Sequence, residues 1–308
     1  MTSINRDFPA SAWTGRDDGP GPEHARWHSV IGPLAGTPGV ALLGFASEEG
    51  VRRNNGRLGA AEGPAAIRSA LASLAVHDGI PRYDAGTITV EGEDLEGGHD
   101  ALSDAVAELS RAGHLVVVLG GGHETAYGTH RGLREGLGAA PTIVNLDAHF
   151  DLRAAERPSS GTPFRQLAEL AGPEFSYAVL GISRPNNTRA LFDTAVELGV
   201  RVVTDEELMS LSPAQAAEQA LQAVAGHEHI HLSIDLDVLP ADIAPGVSAP
   251  AAFGVDMPRI QAITRALAAT GRLRLIDVVE LNPRFDVDAR TARAAARLIE
   301  DAVHALPR

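Results

Sequence analysis

The sequence predicts an α/β protein: a three-layer α/β/α sandwich around a mainly parallel sheet. Short aliphatic and β-branched runs recur at 40–45, 114–119, 142–146, 177–182, 201–203, 229–234 and 274–280. Helix-like segments separate them, at 64–74, 101–112, 124–136, 163–171, 188–198, 213–224, 257–269 and 288–305. Strands alternating with helices in this way build βαβ units. The strand runs are also apolar almost throughout, as expected of strands covered on both faces. Start signals support individual helices: Ser212 stands directly before Pro213, and Asp256 before the segment 257–269. The last segment places Arg293 and Arg297 at i, i+4 on an amphipathic helix, most simply as part of its solvated face.

Composition narrows the functions open to such a fold. The 308-residue chain has no Cys and no Lys, so all 26 of its basic residues are Arg. A Schiff-base or phosphate-loop lysine, a cysteine nucleophile, a thiolate zinc site, an iron–sulfur cluster and disulfides are thereby excluded. Against 40 acidic residues the net charge is −14, which argues against nucleic acid or an anionic membrane surface as the main partner; a small-molecule substrate is the expected partner. No apolar run approaches the roughly 20 residues of a membrane helix. The N-terminus has no apolar segment behind a basic start, so no secretory signal is read there and the cytoplasm is the expected compartment. Residues 1–38 are rich in Gly, Pro and charge and are expected to form an irregular arm, with residues 39–308 as one catalytic domain.

In a parallel sheet, ligands sit beyond the carboxyl ends of the strands, and chemistry-bearing residues follow several of the apolar runs. After 116–119 comes Gly-Gly-Gly-His123-Glu124, a tight turn that leaves His123 at a strand-to-helix junction. After 143–146 comes Asp147-Ala-His149-Phe-Asp151, whose i, i+2, i+4 spacing turns three polar side chains to one side. The run 229–234 leads into Asp235-Leu-Asp237, again two carboxylates at i, i+2. Buried carboxylates are costly unless neutralised, and four Asp with two His form a cation site. Oxygen-rich ligation with some imidazole suits Mn2+ or a similar divalent ion, and zinc without thiolates is also compatible. Six such ligands with bridging carboxylates suit two metals roughly 3.5 Å apart. A further strand end carries Glu280, an anion suited to a cationic substrate group. Arg153, two residues past Asp151, and Arg184 with Asn186 at the end of 177–182, are candidates to bind a substrate carboxylate, because Arg holds carboxylates bidentately.

Taken together, these motifs resemble those of the ureohydrolase family, which includes arginase, agmatinase and formimidoylglutamase. To the three acidic and histidine motifs are added Gly56-Arg-Leu-Gly-Ala-Ala-Glu-Gly-Pro64-Ala-Ala-Ile-Arg68 and Val279-Glu280-Leu-Asn-Pro283, all in the family's order. Within the family, Trp13-Thr-Gly-Arg16-Asp, Arg26-Trp-His28, Pro158-Ser-Ser-Gly-Thr-Pro-Phe164 and the stretch from Asp237 to Pro250 look like the formimidoylglutamase subgroup. Agmatinases typically carry a His where this chain has Ser160, and Asp-Pro where it has Leu239-Pro240. The resemblance implies the arginase-like fold, a homo-oligomer (trimer or hexamer) and two manganese ions. It implies His123, Asp147, Asp151 and Asp235 around one metal, and Asp147, His149, Asp235 and Asp237 around the other. Asp151 would serve as proton donor and Glu280 would face the substrate amidinium. The implied reaction is hydrolysis of N-formimidoyl-L-glutamate to L-glutamate and formamide in histidine degradation. The alternatives are another amidino hydrolase, acting on a guanidino acid or agmatine, and a non-catalytic metal-binding subunit.

Overall fold

The computed structural model describes residues 2–307. Among these, ten strands form one sheet: β1 (Thr2–Asn5), β2 (Ile31–Gly32), β3 (Val40–Ala46), β4 (Arg82–Val90), β5 (Leu115–Leu119), β6 (Thr142–Leu146), β7 (Tyr177–Ile182), β8 (Arg201–Thr204), β9 (Ile230–Asp235) and β10 (Leu273–Val279). The order is β1-β4-β3-β5-β10-β9-β6-β7-β8, with β2 beside β4. All pairings are parallel except β1 with β4. The helices are α1 (Trp27–Val30), α2 (Glu49–Arg53), α3 (Gly63–Ala72), α4 (Leu95–Arg111), α5 (Thr125–Leu137), α6 (Pro163–Ala171), α7 (Arg189–Glu197), α8 (Asp205–Ser210), α9 (Pro213–Ala223), α10 (Met257–Ala269) and α11 (Arg290–His304). None is long and apolar enough to cross a membrane.

Side-chain alternation along the strands generates the three layers. Leu42, Val117, Val144, Leu232 and Ile276 pack on one face with Ile67 and Leu71 of α3, Ala216 of α9, Ile263 of α10 and Leu298 of α11. Their strand neighbours Leu43, Val116 and Val118 face the other way, onto Leu102 and Val106 of α4 and Leu133 of α5. On that same side Ile143 and Val179 meet Phe164 and Leu167 of α6. Two of the caps read from the sequence are in place. The Ser212 hydroxyl accepts from the Gln215 amide at the start of α9, and Asp256 Oδ1 accepts from the Arg259 amide at the start of α10.

Helices α2 and α8 are additions to the sequence reading, and α4 starts at Leu95, ahead of the expected 101. Two further regions depart from the expectation through buried side chains. Strand β4 was not read, because Arg82, Asp84 and Gly86 interrupt its apolar character. The fold buries both charges in pairs instead: Arg82 with Asp78 at 2.8 Å, and Arg68 with Asp84 at 2.8 Å. Residues 1–38, expected to be irregular, contain β1 paired along β4 from Thr2↔Val90 to Asn5↔Thr87, together with buried Trp13 and Trp27 stacked 6.5 Å apart. The Trp13 indole donates to Asp84 Oδ2 at 2.9 Å, and that of Trp27 to Glu300 Oε2 at 2.6 Å. These anchors are single side chains reaching distant partners, so they leave no periodicity in the sequence.

Asp84 accepts from Arg68 Nε and Nη2, from Trp13 Nε1 and from the Gly86 amide. Replacing it with Ala strands the buried Arg68 guanidinium, so Asp84→Ala should cost about 3–5 kcal/mol. Chemical denaturation monitored by tryptophan fluorescence measures it, and a midpoint equal to that of the parent chain contradicts the assignment.

Candidate metal centre

Four parallel strands that are neighbours in the sheet, β5, β10, β9 and β6, end side by side, and each delivers polar residues to the same edge. After β5, the glycine run is required by close approach: a Cβ on Gly121 would lie 1.8 Å from the Ser47 carbonyl oxygen. Passing this close to the backbone of Ser47, the chain brings His123 into the site, its ring edge-on to Phe164 with centroids 5.2 Å apart.

Asp147 follows β6 directly and is fully buried; its Oδ1 accepts from the His149 amide at 2.6 Å and its Oδ2 from Asn145 Nδ2 at 2.9 Å. Asp151 adopts the left-handed region at φ 50°, which turns its carboxylate back toward the strand ends. At the end of β9, Asp235 Oδ1 accepts from the Asp237 amide at 2.8 Å. Glu280, just past β10, is also left-handed at φ 66°, and its Oε1 accepts from the His123 amide at 2.9 Å.

The side chains converge in two overlapping groups. His123 Nδ1 lies 3.1 Å from Asp147 Oδ2, 3.0 Å from Asp151 Oδ2 and 3.0 Å from Asp235 Oδ2. His149 Nδ1 lies 2.9 Å from Asp237 Oδ2 and 3.6 Å from Asp147 Oδ1. His123, Asp147, Asp151 and Asp235 offer donor atoms within 4.8 Å of one another, as do Asp147, His149 and Asp237. Asp147 is common to both groups. Asp235 is gathered into the first, and it reaches the second through its bond to the Asp237 amide.

The charges in this cluster oppose one another. Burial, with Asp237 and Asp147 close by, pushes the Asp235 carboxyl well up; burial and Asp147 raise that of Asp151. Asp147 is lowered: burial works against ionisation, but His123 and His149 outweigh it. Burial likewise opposes protonation of His123, yet Asp147, Asp151 and Asp235 raise it well above the ordinary histidine range. For His149, Asp237 and Asp147 overcome burial in the same way. Glu280 is pushed up to about 8 by burial and by the neighbouring Glu124 and Asp237.

Above the cluster is a cavity of about 290 Å3 lined by His149, Asp151, Asp235, Asp237 and Glu280. Arg153 lines it too, and its guanidinium has no ion pair or hydrogen bond among the described residues. Its stem lies over Gly161, where a Cβ would meet Arg153 Cδ at 2.9 Å. Arg184 and Asn186 were expected at this cavity, but the structure places them elsewhere. They form an exposed 3-10 turn that points outward, and Arg184 pairs with Glu206 at 2.6 Å. The next residue, Asn187, points inward instead. Its Nδ2 donates to the Ala148 and Ser183 carbonyls at 2.9 Å, and its Oδ1 accepts from the Phe150 amide at 3.2 Å, pinning the Asp147–Asp151 loop.

Sequence reasoning missed Asn54, Asn55, Ser160 and Ser248 as lining residues, and Arg57, which belongs to a quoted motif, was given no role. They come from loops away from the strand ends; Ser160 and Ser248 lie in stretches that carry the family resemblance, and the Asn54-Asn55-Gly56-Arg57 string is the local signal for the others. Asn54 Nδ2 donates to Ser160 Oγ at 3.1 Å, joining two of those loops across the cavity mouth.

Comparison with known proteins agrees with this architecture. Residues 38–305 match the model of the arginase family. The chain is 58% identical over 297 residues to a formimidoylglutamase of Corynebacterium efficiens, covering 95% of this chain and 94% of the relative. It is 46% identical over 308 residues to one of Klebsiella pneumoniae, covering 96% and 97%. Among solved structures, Trypanosoma cruzi formiminoglutamase with Mn2+ superposes with a TM-score of 0.80 at 26% identity, covering 88% of this chain and 95% of that one.

Proposed function

The chain belongs to the arginase family and is a hydrolase of amidino or guanidino compounds, and from that premise we propose that it hydrolyses N-formimidoyl-L-glutamate to L-glutamate and formamide, as a step of histidine degradation, with two Mn2+ ions. The observation that carries the metal assignment is His123 Nδ1. It is buried, three carboxylate oxygens stand 3.0–3.1 Å from it, and none is aligned to accept a hydrogen bond from it. Donor atoms that converge on a point without bonding one another are the arrangement a cation requires.

His123, Asp147, Asp151 and Asp235 would hold one ion, and Asp147, His149, Asp235 and Asp237 the other. When bound, two such cations neutralise the carboxylates and acidify water, making hydroxide available near neutrality. The protein supplies the rest. Glu280, at the cavity wall, faces the amidinium end of the substrate. Water adds to the formimidoyl carbon, the bond from that carbon to the glutamate nitrogen breaks, and the departing nitrogen takes a proton. Asp151, at the cavity wall beside the other acids, would be its donor, passing on a proton from the attacking water. Arg153 is the cationic group at the cavity left free for a substrate carboxylate. The relatives named formimidoylglutamase at 46–58% identity support this substrate over agmatine, which carries no carboxylate. The absence of cysteine supports the cytoplasm as the compartment, and the family resemblance supports a homo-oligomer, a trimer or hexamer.

Chelation should abolish turnover and lower the melting temperature, and Mn2+ should restore both better than Mg2+. Full activity in metal-free protein overturns the metal assignment. Among ligand variants, Asp147→Ala or Asp235→Ala should lose more bound metal than His123→Ala, as elemental analysis would record. Equal loss of one ion in all three refutes the shared-ligand arrangement. Glu280→Gln should retain both ions yet lose turnover.

Arg153→Ala should lower kcat/KM for N-formimidoylglutamate ~10–100-fold with metal content unchanged, in line with about 1.5–3 kcal/mol for a charged hydrogen bond. Arg184→Ala, at an exposed pair with Glu206, should stay within about twofold. Faster hydrolysis of agmatine than of N-formimidoylglutamate by the parent protein rejects the substrate assignment, and an unchanged kcat/KM in Arg153→Ala rejects that residue's role.

A further inference from the structure

Beneath the metal cluster, on the side away from the cavity, lies a second set of buried polar groups that the reaction does not touch. Asp277 stands in the middle of β10, fully buried, in parallel register with Ser233 of β9. Its Oδ1 accepts from the Ser233 hydroxyl, and its Oδ2 lies 2.7 Å from Thr129 Oγ1 of α5 and 2.7 Å from His231 Nε2. His231 Nδ1 in turn faces His130 Nδ1 at 3.2 Å. Ser233 Oγ lies 3.0 Å from His123 Nε2. Asp277, Ser233, His231 and Thr129 show no measurable exposure and His130 only 3%, so a partly satisfied network here would be expensive.

Donor and acceptor capacities fix the direction of this chain. An ionised carboxylate only accepts, so Asp277 draws hydrogens from Ser233, His231 and Thr129. Ser233 has a single hydroxyl hydrogen, and once it is committed to Asp277 its oxygen can only accept. His123 must then donate from Nε2, which leaves the lone pair of the neutral ring on Nδ1, the nitrogen that faces Asp147, Asp151 and Asp235.

We propose that Asp277, acting through Ser233, is a positioning residue that locks His123 in the tautomer and rotation presenting Nδ1 to a divalent cation, with His231 and Thr129 holding Asp277 in place. The inference rests on the metal reading above and adds to it a cause, in the sheet itself, for the affinity of one of the two ions. Carboxylates that orient a ligating histidine through its second nitrogen commonly govern metal affinity. Here the serine is interposed because Asp277 and Ser233 share a register, and the hydroxyl spans the gap to the imidazole.

Mn2+ titration of the metal-free protein, followed by calorimetry and by electron paramagnetic resonance, tests it. Ser233→Ala and Asp277→Asn should each bind one ion as the parent does and the other ~10–100-fold more weakly. The melting midpoint of metal-free Ser233→Ala should fall, because Asp277 Oδ1 and His123 Nε2 lose their shared partner, so the affinities are measured below that midpoint, where the variant is folded. In a His123→Ala background, Ser233→Ala should produce no further loss, since its effect runs through His123; in a His149→Ala background the two losses should add. Parent-like affinity for both ions in Ser233→Ala overturns the inference, as does an added loss in the His123→Ala background. If Asp277→Asn fails to fold, the Ser233→Ala series decides alone. A parent protein that binds no Mn2+ refutes the metal reading itself, an outcome distinct from either.

Discussion

The concentration of negative charge at one edge of the sheet is the constraint on which the rest of the structure depends. Asp147, Asp235, Asp237, Glu124 and Glu280 are all buried, with Asp151 beside them, and among the described residues the basic side chains that reach the four Asp are two imidazoles. Carboxylates out of water and without a partner cost several kcal/mol each. Such a cluster is tenable only where cations complete it. The sheet makes the cluster by its direction: parallel strands put all their carboxyl ends on one side, so β5, β6, β9 and β10 deliver acids and histidines within a few ångströms although their residues span more than 150 positions.

Elsewhere the chain neutralises its acids with arginine. Arg68 holds Asp84, Arg82 holds Asp78, and Arg53 spans Glu49 and Glu96, while Arg259 closes on Asp256. No arginine is spent on the metal-cluster acids among the described residues. Of the two that line the cavity, Arg57 turns its guanidinium to the Val247 and Ser248 carbonyls and to the face of Phe285, 3.9 Å away. Arg153 alone remains free. The cavity therefore joins an acidic floor to a rim that carries an unpaired guanidinium.

The loops at the mouth and the network beneath the floor act on different properties. Asn54, Ser160, Ser248 and Asn187 shape what can enter, and Asn187 also stiffens the Asp147–Asp151 loop from outside. Asp277, Ser233, His231 and Thr129 never meet the cavity, and they constrain the direction in which His123 points. The mouth is thus built from loops, whereas the groups behind His123 belong to β9, β10 and α5 and cannot move without disturbing the core.

By itself the sequence determined the layered parallel fold, seven of the strands, most of the long helices, and the acids and histidines brought together at the strand ends. Those features are written in local spacing: apolar runs for strands buried on both faces, and polar residues at i, i+2 and i+4 directly after them. Only the tertiary structure decided the rest, because each remaining feature depends on a partner remote in the chain. Strand β4 is hidden by Arg82 and Asp84 until Asp78 and Arg68 neutralise them. The first 38 residues lack periodicity because Trp13 and Trp27 are anchored one by one to Asp84 and Glu300. Arg153 and Arg184 are equivalent as residue types, and both follow strand ends. What separates them is that Gly161 gives the Arg153 stem room to lie at the cavity, while a 3-10 turn carries Arg184 out to Glu206, a choice made by the packing of neighbouring loops and not by local sequence.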